Sequence, residues 1–351
     1  MGMTVRLGRL VQYGVALWCT LVLIAAACAA PAPSQTSAAQ QSAASPTAAG
    51  PIDMVVSYSN LSTDQWPVWI ALDEGLFARH GLNVDLRLLE SSTGVAALLT
   101  GETQAAIIGG SEVMSAAAEG AELAIVGDLS RTFSFRFMAR PEVRTPQDLR
   151  GQRVGVSRFG SSSDIATRVA LQKLGFTPGQ DIEVVQVGSL TARMQALESG
   201  AIQGAVAMPP ETTRLAQMGN HVLFDLSDLG LPAATAVMAV RRADLTARRP
   251  MLQAFVDAMV EAIALQRRDP ERAQAVLGRW LKTDDRAALA EAWSFYVEKV
   301  LAPIPRIEVA QLETGREFLS AQSPRLAQYD PQQLIDNSLV DSAVARGLAG
   351  Q

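Results

Sequence analysis

Ala97-Leu98-Leu99-Thr100-Gly101-Glu102-Thr103-Gln104-Ala105-Ala106-Ile107 returns 99 residues later as Ala196-Leu197-Glu198-Ser199-Gly200-Ala201-Ile202-Gln203-Gly204-Ala205-Val206. Each copy reads as the end of a helix, a Gly stop, a short turn and a buried strand. Any helix–Gly–strand joint shares part of this pattern. The matching Gln and Ala positions argue for one α/β unit present twice.

Working outward, residues 52–58 (IDMVVSY) read as a strand ending in the polar loop 59–64. A helix follows from about Gln65, with Pro67 tolerated in its first turn and Gly81 after its end. Residues 84–89 alternate as a second strand before the loop 90–94 (ESSTG) opens another helix. Strands at about 105–108 and 123–126 complete a βαβαβα run, the signature of a parallel sheet covered by helices. Residues 153–157, a helix over 163–174, strand 182–187, a helix to Glu198 and strand 204–207 repeat the scheme. The segments 131–140 (RTFSFRFMAR) and 233–241 (AATAVMAVR) read as extended crossovers, which places the second lobe as an insertion in the first. Residues after Asp244 read as almost entirely helical, and 251–267 carry the apolar stripe Leu252, Phe255, Val256, Met259, Val260 and Ile263.

The N-terminus is an address. Arg6 and Arg9 precede an apolar run over 10–27, and Leu23-Ile24-Ala25-Ala26-Ala27-Cys28 resembles a bacterial lipoprotein cleavage site, with Ala25 where Leu is commoner. Cleavage by signal peptidase I after Ala29 and an uncleaved anchor are the competing readings. Residues 28–50 that follow are a tether, and 29–50 hold only Ala, Pro, Ser, Gln, Thr and Gly, too little apolar surface to offset their ordering entropy. As a coil this segment would span roughly 25 Å. The expected layout is thus a signal over 1–27 with Cys28 lipidated (a palmitate-type anchor), the tether over 28–50, lobe I from 51–134 and 236–351, and lobe II over 135–235.

Composition removes several functions. Of 351 residues, 48% are hydrophobic and 19% charged, the balance of a globular protein. Aromatics are 5%, which disfavours platforms for single-stranded nucleic acid. After the signal the chain has 28 basic against 35 acidic residues, a net −7, so no basic nucleic-acid footprint exists. His80 and His221 are too few for a His-rich metal site, and Cys19 and Cys28 both lie in the N-terminal stretch. The body therefore has no cysteine nucleophile, no disulfide and no thiolate metal site.

Segments 66–90 (WPVWIALDEGLFARHGLNVDLRLLE), 94–126 and 146–211 resemble ABC-transporter substrate-binding proteins of the nitrate/sulfonate/taurine type, a grouping that includes thiamine-pyrimidine-precursor binders. The likeness covers residues 52–340. It implies an α/β, two-lobed type II periplasmic-binding-protein fold, with a ligand cleft between lobes formed of parallel or mixed sheets. It also implies an extracytoplasmic, membrane-anchored protein that closes on a small polar or anionic solute (sulfonate, nitrate, pyrimidine or carboxylate). Its partners would be a permease and its ATPase subunits, and it would act as a monomer without cofactor, metal or catalytic residues. Relatives that are enzymes use a cysteine-rich motif, a cysteine or a placed acid/base, none of which stands out here; a secreted enzyme or a sensor on the same fold are the alternatives.

Residues for the cleft follow from a general rule. Ligands of open α/β sheets sit beyond the carboxyl ends of strands, near helix N-termini. The loops of that kind hold Ser59 and Asn60; Ser91 and Ser92; Gly110 and Ser111; Arg158, Gly160, Ser161, Ser162 and Ser163; and Ser189. Ser163 has a competing reading as the N-cap of its own helix. Arg131 and Arg136 near the crossovers are candidates for a carboxylate or sulfonate, or for an interlobe bridge. Trp66 could floor the cleft, Trp69 belongs to the core, and Glu211 could meet a ligand amine or simply occupy a helix N-terminus.

Overall fold

A computed structural model describes residues 50–320 and 323–350. The signal segment, Cys28 and the tether to residue 49 lie outside them. The body builds two five-stranded sheets of one plan. In the first, β1 (Ile52–Tyr58) is parallel to β2 (Leu82–Leu88) and β3 (Ala105–Ile108), while β10 (Val237–Arg241) runs antiparallel between β3 and β4 (Leu123–Asp128). In the second, β6 (Arg153–Val156) is parallel to β7 (Glu183–Gln186) and β8 (Gly204–Ala207). There β5 (Arg136–Ala139) runs antiparallel between β8 and β9 (His221–Asp225). The orders β2-β1-β3-β10-β4 and β7-β6-β8-β5-β9 correspond strand for strand, and each sheet's antiparallel strand is supplied by a crossover.

Helices occupy matching places. On the first sheet these are α1 (Trp66–Asp73), α2 (Leu76–Arg79), α3 (Ser91–Thr100) and α4 (Gly110–Ala118); on the second, α5 (Ser162–Lys173), α6 (Leu190–Glu198) and α7 (Glu211–Gln217). The single helix expected up to Gly81 is interrupted between α1 and α2, and the expected loop at 91–93 is already the first turn of α3. The tail is helical as expected: α8 (Asp244–Ala247), α9 (Arg249–Arg268), α10 (Pro270–Leu281), α11 (Arg286–Ser294), a π-helical turn Phe295–Val300, α12 (Val309–Ser320), α13 (Pro324–Gln328) and α14 (Ser338–Ala345). Trp69 stacks on Trp280 of α10 with centroids 5.1 Å apart, and Tyr58 meets both rings edge-on, which binds the tail to the first sheet.

The repeated Gln explains itself in the hydrogen bonds. Gln104 Oε1 accepts from Val55 N at 2.8 Å, its Nε2 donates to Gly101 O at 3.1 Å, and its own N donates to Val55 O at 2.9 Å. Gln203 repeats all three with Arg153 N, Gly200 O and Arg153 O, at 3.2, 3.0 and 2.8 Å. One side chain thus ties the turn to the neighbouring strand in each lobe. Gly101 and Gly200 hold φ of +80° and +78°, a left-handed helix end that favours glycine. A guanidinium lies against each: Arg241 beside Gly101 and Arg140 beside Gly200. The antiparallel strands even carry register irregularities at matching places, Met238/Ala239 and Phe137/Met138.

The two crossovers meet at a buried carboxyl. Asp128, fully buried at the end of β4, accepts from Ser130 N and Oγ at 2.9 Å each and from Gln311 Nε2 of α12 at 2.6 Å. Ser130 Oγ in turn accepts from Thr235 N on the returning crossover at 2.9 Å. Burial raises the Asp128 carboxyl well above the usual range, opposed by the Ser130 and Leu129 donors. Around this hinge one apolar cluster takes residues from both sheets, including Ile108, Phe133, Phe135, Phe137, Val154 and Val237, and α12 adds Leu312 and Leu319.

Replacing either Gln104 or Gln203 by Ala removes two side-chain hydrogen bonds and is expected to destabilise the body by about 1–3 kcal/mol in urea unfolding. A loss below about 0.5 kcal/mol at both positions would show that the clamp does not hold the turns.

Candidate functional site

A cavity of 490 Å³ lies where the carboxyl ends of corresponding strands of the two sheets converge. From the first sheet come Ser59, Asn60, Ser62 and Asp64 after β1, Glu90 and Ser92 after β2, and Gly109 and Glu112 after β3. From the second come Ser157, Arg158, Ser161, Ser162 and Ser163 after β6, Gln186, Gly188, Ser189, Leu190 and Arg193 at and after the end of β7, and Met208 after β8. Phe135 and Thr235 from the crossovers complete the lining. The volume is within the usual range for metabolite pockets.

The loop after β6 folds on its own hydroxyls. Ser161, rather than Ser163, is the N-cap of α5: its Oγ accepts from Asp164 N at 3.4 Å and donates to Arg158 O at 2.7 Å. Ser163 Oγ instead accepts from Ser157 N at 3.0 Å, pulling the helix start onto the strand end. Asp164 is committed to structure, accepting from Gly160 N at 2.9 Å and from Arg168 Nε at 2.7 Å. Ser189 caps α6 through Ala192 N at 3.2 Å.

Of the residues singled out in the sequence, Ser59, Asn60, Ser92, Arg158, Ser161, Ser162, Ser163 and Ser189 line the cavity together. The others are placed elsewhere. Trp66 is fully buried against Tyr296, with its indole N–H donating to Ala273 O at 3.0 Å. Arg131 donates to the carbonyls of Lys299 and Glu298, so it closes the end of the π-helical turn. Gly110 donates its N–H to Ala234 O at 3.0 Å, and Ser111 Oγ donates to Glu112 at 2.8 Å beside a separate 20 Å³ void under α12. Gly160 turns the loop behind the lining, and Ser91 opens α3. Arg136 takes the bridging reading: it bonds Asp225 at 3.1 Å and Glu291 of α11 at 2.6 Å, over the ring of Phe295.

Glu211 also lies outside the lining. Its Oε2 is buried without a hydrogen-bond partner, and burial, reinforced by the charge of Asp64, pushes its carboxyl up to about 8.

The charged groups that the sequence did not disclose are the telling ones. Arg193 is 5% exposed and its Nε has no hydrogen-bond partner, while Nη1 donates to Gly188 O at 3.1 Å. Burial alone pulls its guanidinium down to about 10, with no carboxylate among the described residues offsetting it. Asp64, 3% exposed, accepts from Ser62 Oγ at 2.5 Å, and burial raises its carboxyl. Glu112 stands across the cavity from Arg158, 3.9 Å from its Nη2. No local pattern flags these residues: Arg193 reads as an ordinary polar position of a surface helix until the sheet places it.

Comparison with known proteins adds the family. A family model described as NMT1/THI5 like matches residues 62–273. The chain belongs to the NMT1/THI5-like family. Over 339 residues it is 26% identical to the riboflavin-binding protein RibY of Chloroflexus aurantiacus, spanning 91% of this chain and 95% of that one. Among solved structures, the periplasmic aliphatic sulphonate binding protein SsuA of Escherichia coli is 18% identical at a TM-score of 0.66, covering 83% of this chain and 100% of SsuA. The desulfurization enzyme DszB, also 18% identical, superposes at 0.60 over 84% of this chain and 99% of its own. The fold of this family member is that of the two-lobed periplasmic binding proteins, and it is shared by binders and by an enzyme.

Two outcomes follow. A Cβ on Gly109 would sit 2.5 Å from Ser162 Oγ of the opposite lobe and 2.1 Å from Glu112 Oε2, at a φ of −69° that any residue adopts. Gly109→Val is therefore expected to push the Glu112 carboxylate and the Ser162 hydroxyl out of place and to lower the melting temperature by several degrees; a melting temperature equal to the parent's would contradict it. For Glu211, a folded-state pKa above the unfolded value means stability is full below about pH 4.5 and is lost as pH rises to about 8. The loss should amount to a few kcal/mol. Melting temperature measured across pH 5–8 should fall more steeply in the parent than in Glu211→Gln, which keeps the slope of the buried Asp64 and Asp128 carboxyls; equal slopes would remove Glu211 as a cause.

Proposed function

We propose that this chain is the extracytoplasmic solute-binding component of an ABC importer. It captures a small polar or anionic organic solute by lobe closure and delivers it to a permease driven by separate ATPase subunits. The observation that carries this reading is Arg193. A buried guanidinium with an unpartnered Nε, in a cavity built by both lobes, is costly as it stands. An incoming oxyanion supplies the missing partner, and hydroxyls of Ser162 and Ser189 offer further hydrogen bonds around it. Closure follows because a solute bonded to both walls binds the closed form better than the open one.

Relatives support the same reading without naming the solute, since one is a riboflavin binder and another a sulphonate binder. Among the described residues the lining contains neither His nor Cys, which weighs for capture rather than for catalysis through a cysteine or a histidine. Lipidation at Cys28 would hold the body at the membrane surface on its tether, within reach of a permease.

The test is a thermal-shift screen of the full-length protein in detergent against alkanesulfonates, nitrate, pyrimidines and carboxylates. At least one class is expected to raise the melting temperature by mass action. Arg193→Gln should lose that shift while melting within a few degrees of the parent when unliganded. No shift with any class, or an undiminished shift in Arg193→Gln, would contradict the reading.

A further inference from the structure

The charged groups around the cavity are sorted by lobe. Among the described residues, the first lobe contributes Asp64, Glu90 and Glu112 and no cation, and the second contributes Arg158 and Arg193 and no carboxylate. Two of the acids and one of the arginines are deeply buried: Asp64 is 3% exposed, Glu112 9% and Arg193 5%. Across the gap the closest opposite charges are Arg158 Nη2 and Glu112 Oε1 at 3.9 Å, beyond hydrogen-bond range. The walls therefore face each other with opposite charge, and the ion pair that spans them is a long one.

Resting on the reading of this cleft as the solute site, we propose that its ligand is bipolar: an oxyanion end held by Arg193 and Arg158 on one lobe, and a cationic amine end held by Glu112 and Asp64 on the other. Each simpler ligand leaves an unmatched charge. A plain anion satisfies Arg193 but brings like charge toward Asp64 and Glu112, buried on the opposite wall. A plain cation meets the acids and leaves Arg193 unpartnered. Closing the lobes over either removes water from the unmatched group and makes the mismatch costly. A flat neutral ring system would be held by stacking, and among the described residues Phe135 is the single aromatic lining the cavity. A bipolar solute matches both walls, and because each end belongs to a different lobe the molecule itself links them. Ligand charge and lobe closure are then one event.

The test is calorimetric titration of the full-length protein with matched triplets: ω-amino carboxylates of three to six carbons and small dipeptides, each beside its N-acetylated form (anion only) and its C-amidated form (cation only). At least one bipolar compound is expected to bind tenfold or more tightly than both of its singly charged partners. Glu112→Gln should erase the advantage over the acetylated form, and Arg193→Gln the advantage over the amidated form. The comparison among ligands on the parent chain stands even where a variant misfolds. Acetylated forms that bind as tightly as the parent compounds would overturn the bipolar assignment while leaving the cleft a solute site. Failure of all three triplet members would overturn it too, and if the sulfonate, nitrate, pyrimidine and carboxylate screen is equally silent, the solute-binding reading falls with it.

Discussion

The buried carboxyl of Asp128 is the constraint on which the two-lobed body depends. Each sheet needs a fourth strand that arrives from the other lobe, so two chain segments must pass each other in the interior. Their backbone groups cannot all pair in a ladder there, and unpaired polar groups in an apolar surround are costly. Asp128 resolves this by gathering Ser130 of the outgoing segment and Gln311 of the tail helix, while Ser130 gathers Thr235 of the returning one. Two crossovers and α12 become one hinge, and the strand ends of both lobes are left facing a common gap.

The cleft is what that arrangement leaves over. Corresponding strand ends face each other, so equivalent loops supply opposite walls, and the duplicated plan has been filled with different side chains on each side. Gly109 shows how closely the walls approach, since Ser162 of one lobe stands where a side chain of the other would begin. Flanking bonds reinforce the approach: Thr213 and Arg136 on the second lobe both reach Glu291 of the tail. Such contacts are partly exposed and individually weak.

Much of this was readable in the residues because it is local. Strand alternation, helix stops and the Gln104/Gln203 repeat depend on neighbours a few positions away, and the repeat marks a hydrogen-bond pattern that both lobes carry out identically. Trp66 belongs to the core for a local reason as well. It is three residues before Trp69, so both indoles share a helix face, and that face is turned to the core. The hinge and the cavity charges were not readable, because their partners are distant in sequence. Asp128 and Gln311 are 183 residues apart, and Arg193 gains its meaning from burial that only the packed sheet imposes.

In the proposed function, the lobes close on a solute bound between them. With Cys19 and Cys28 replaced by serine the chain has no thiol, so spin labels can be placed at will, at Leu99→Cys on the exposed face of α3 and at Lys173→Cys on α5. Pulsed dipolar spectroscopy then reads the distance between the lobes. Saturation with a solute that raises the melting temperature should narrow the distance distribution and shift it to one closed value. A distribution unchanged by saturating solute would contradict closure as the means of capture.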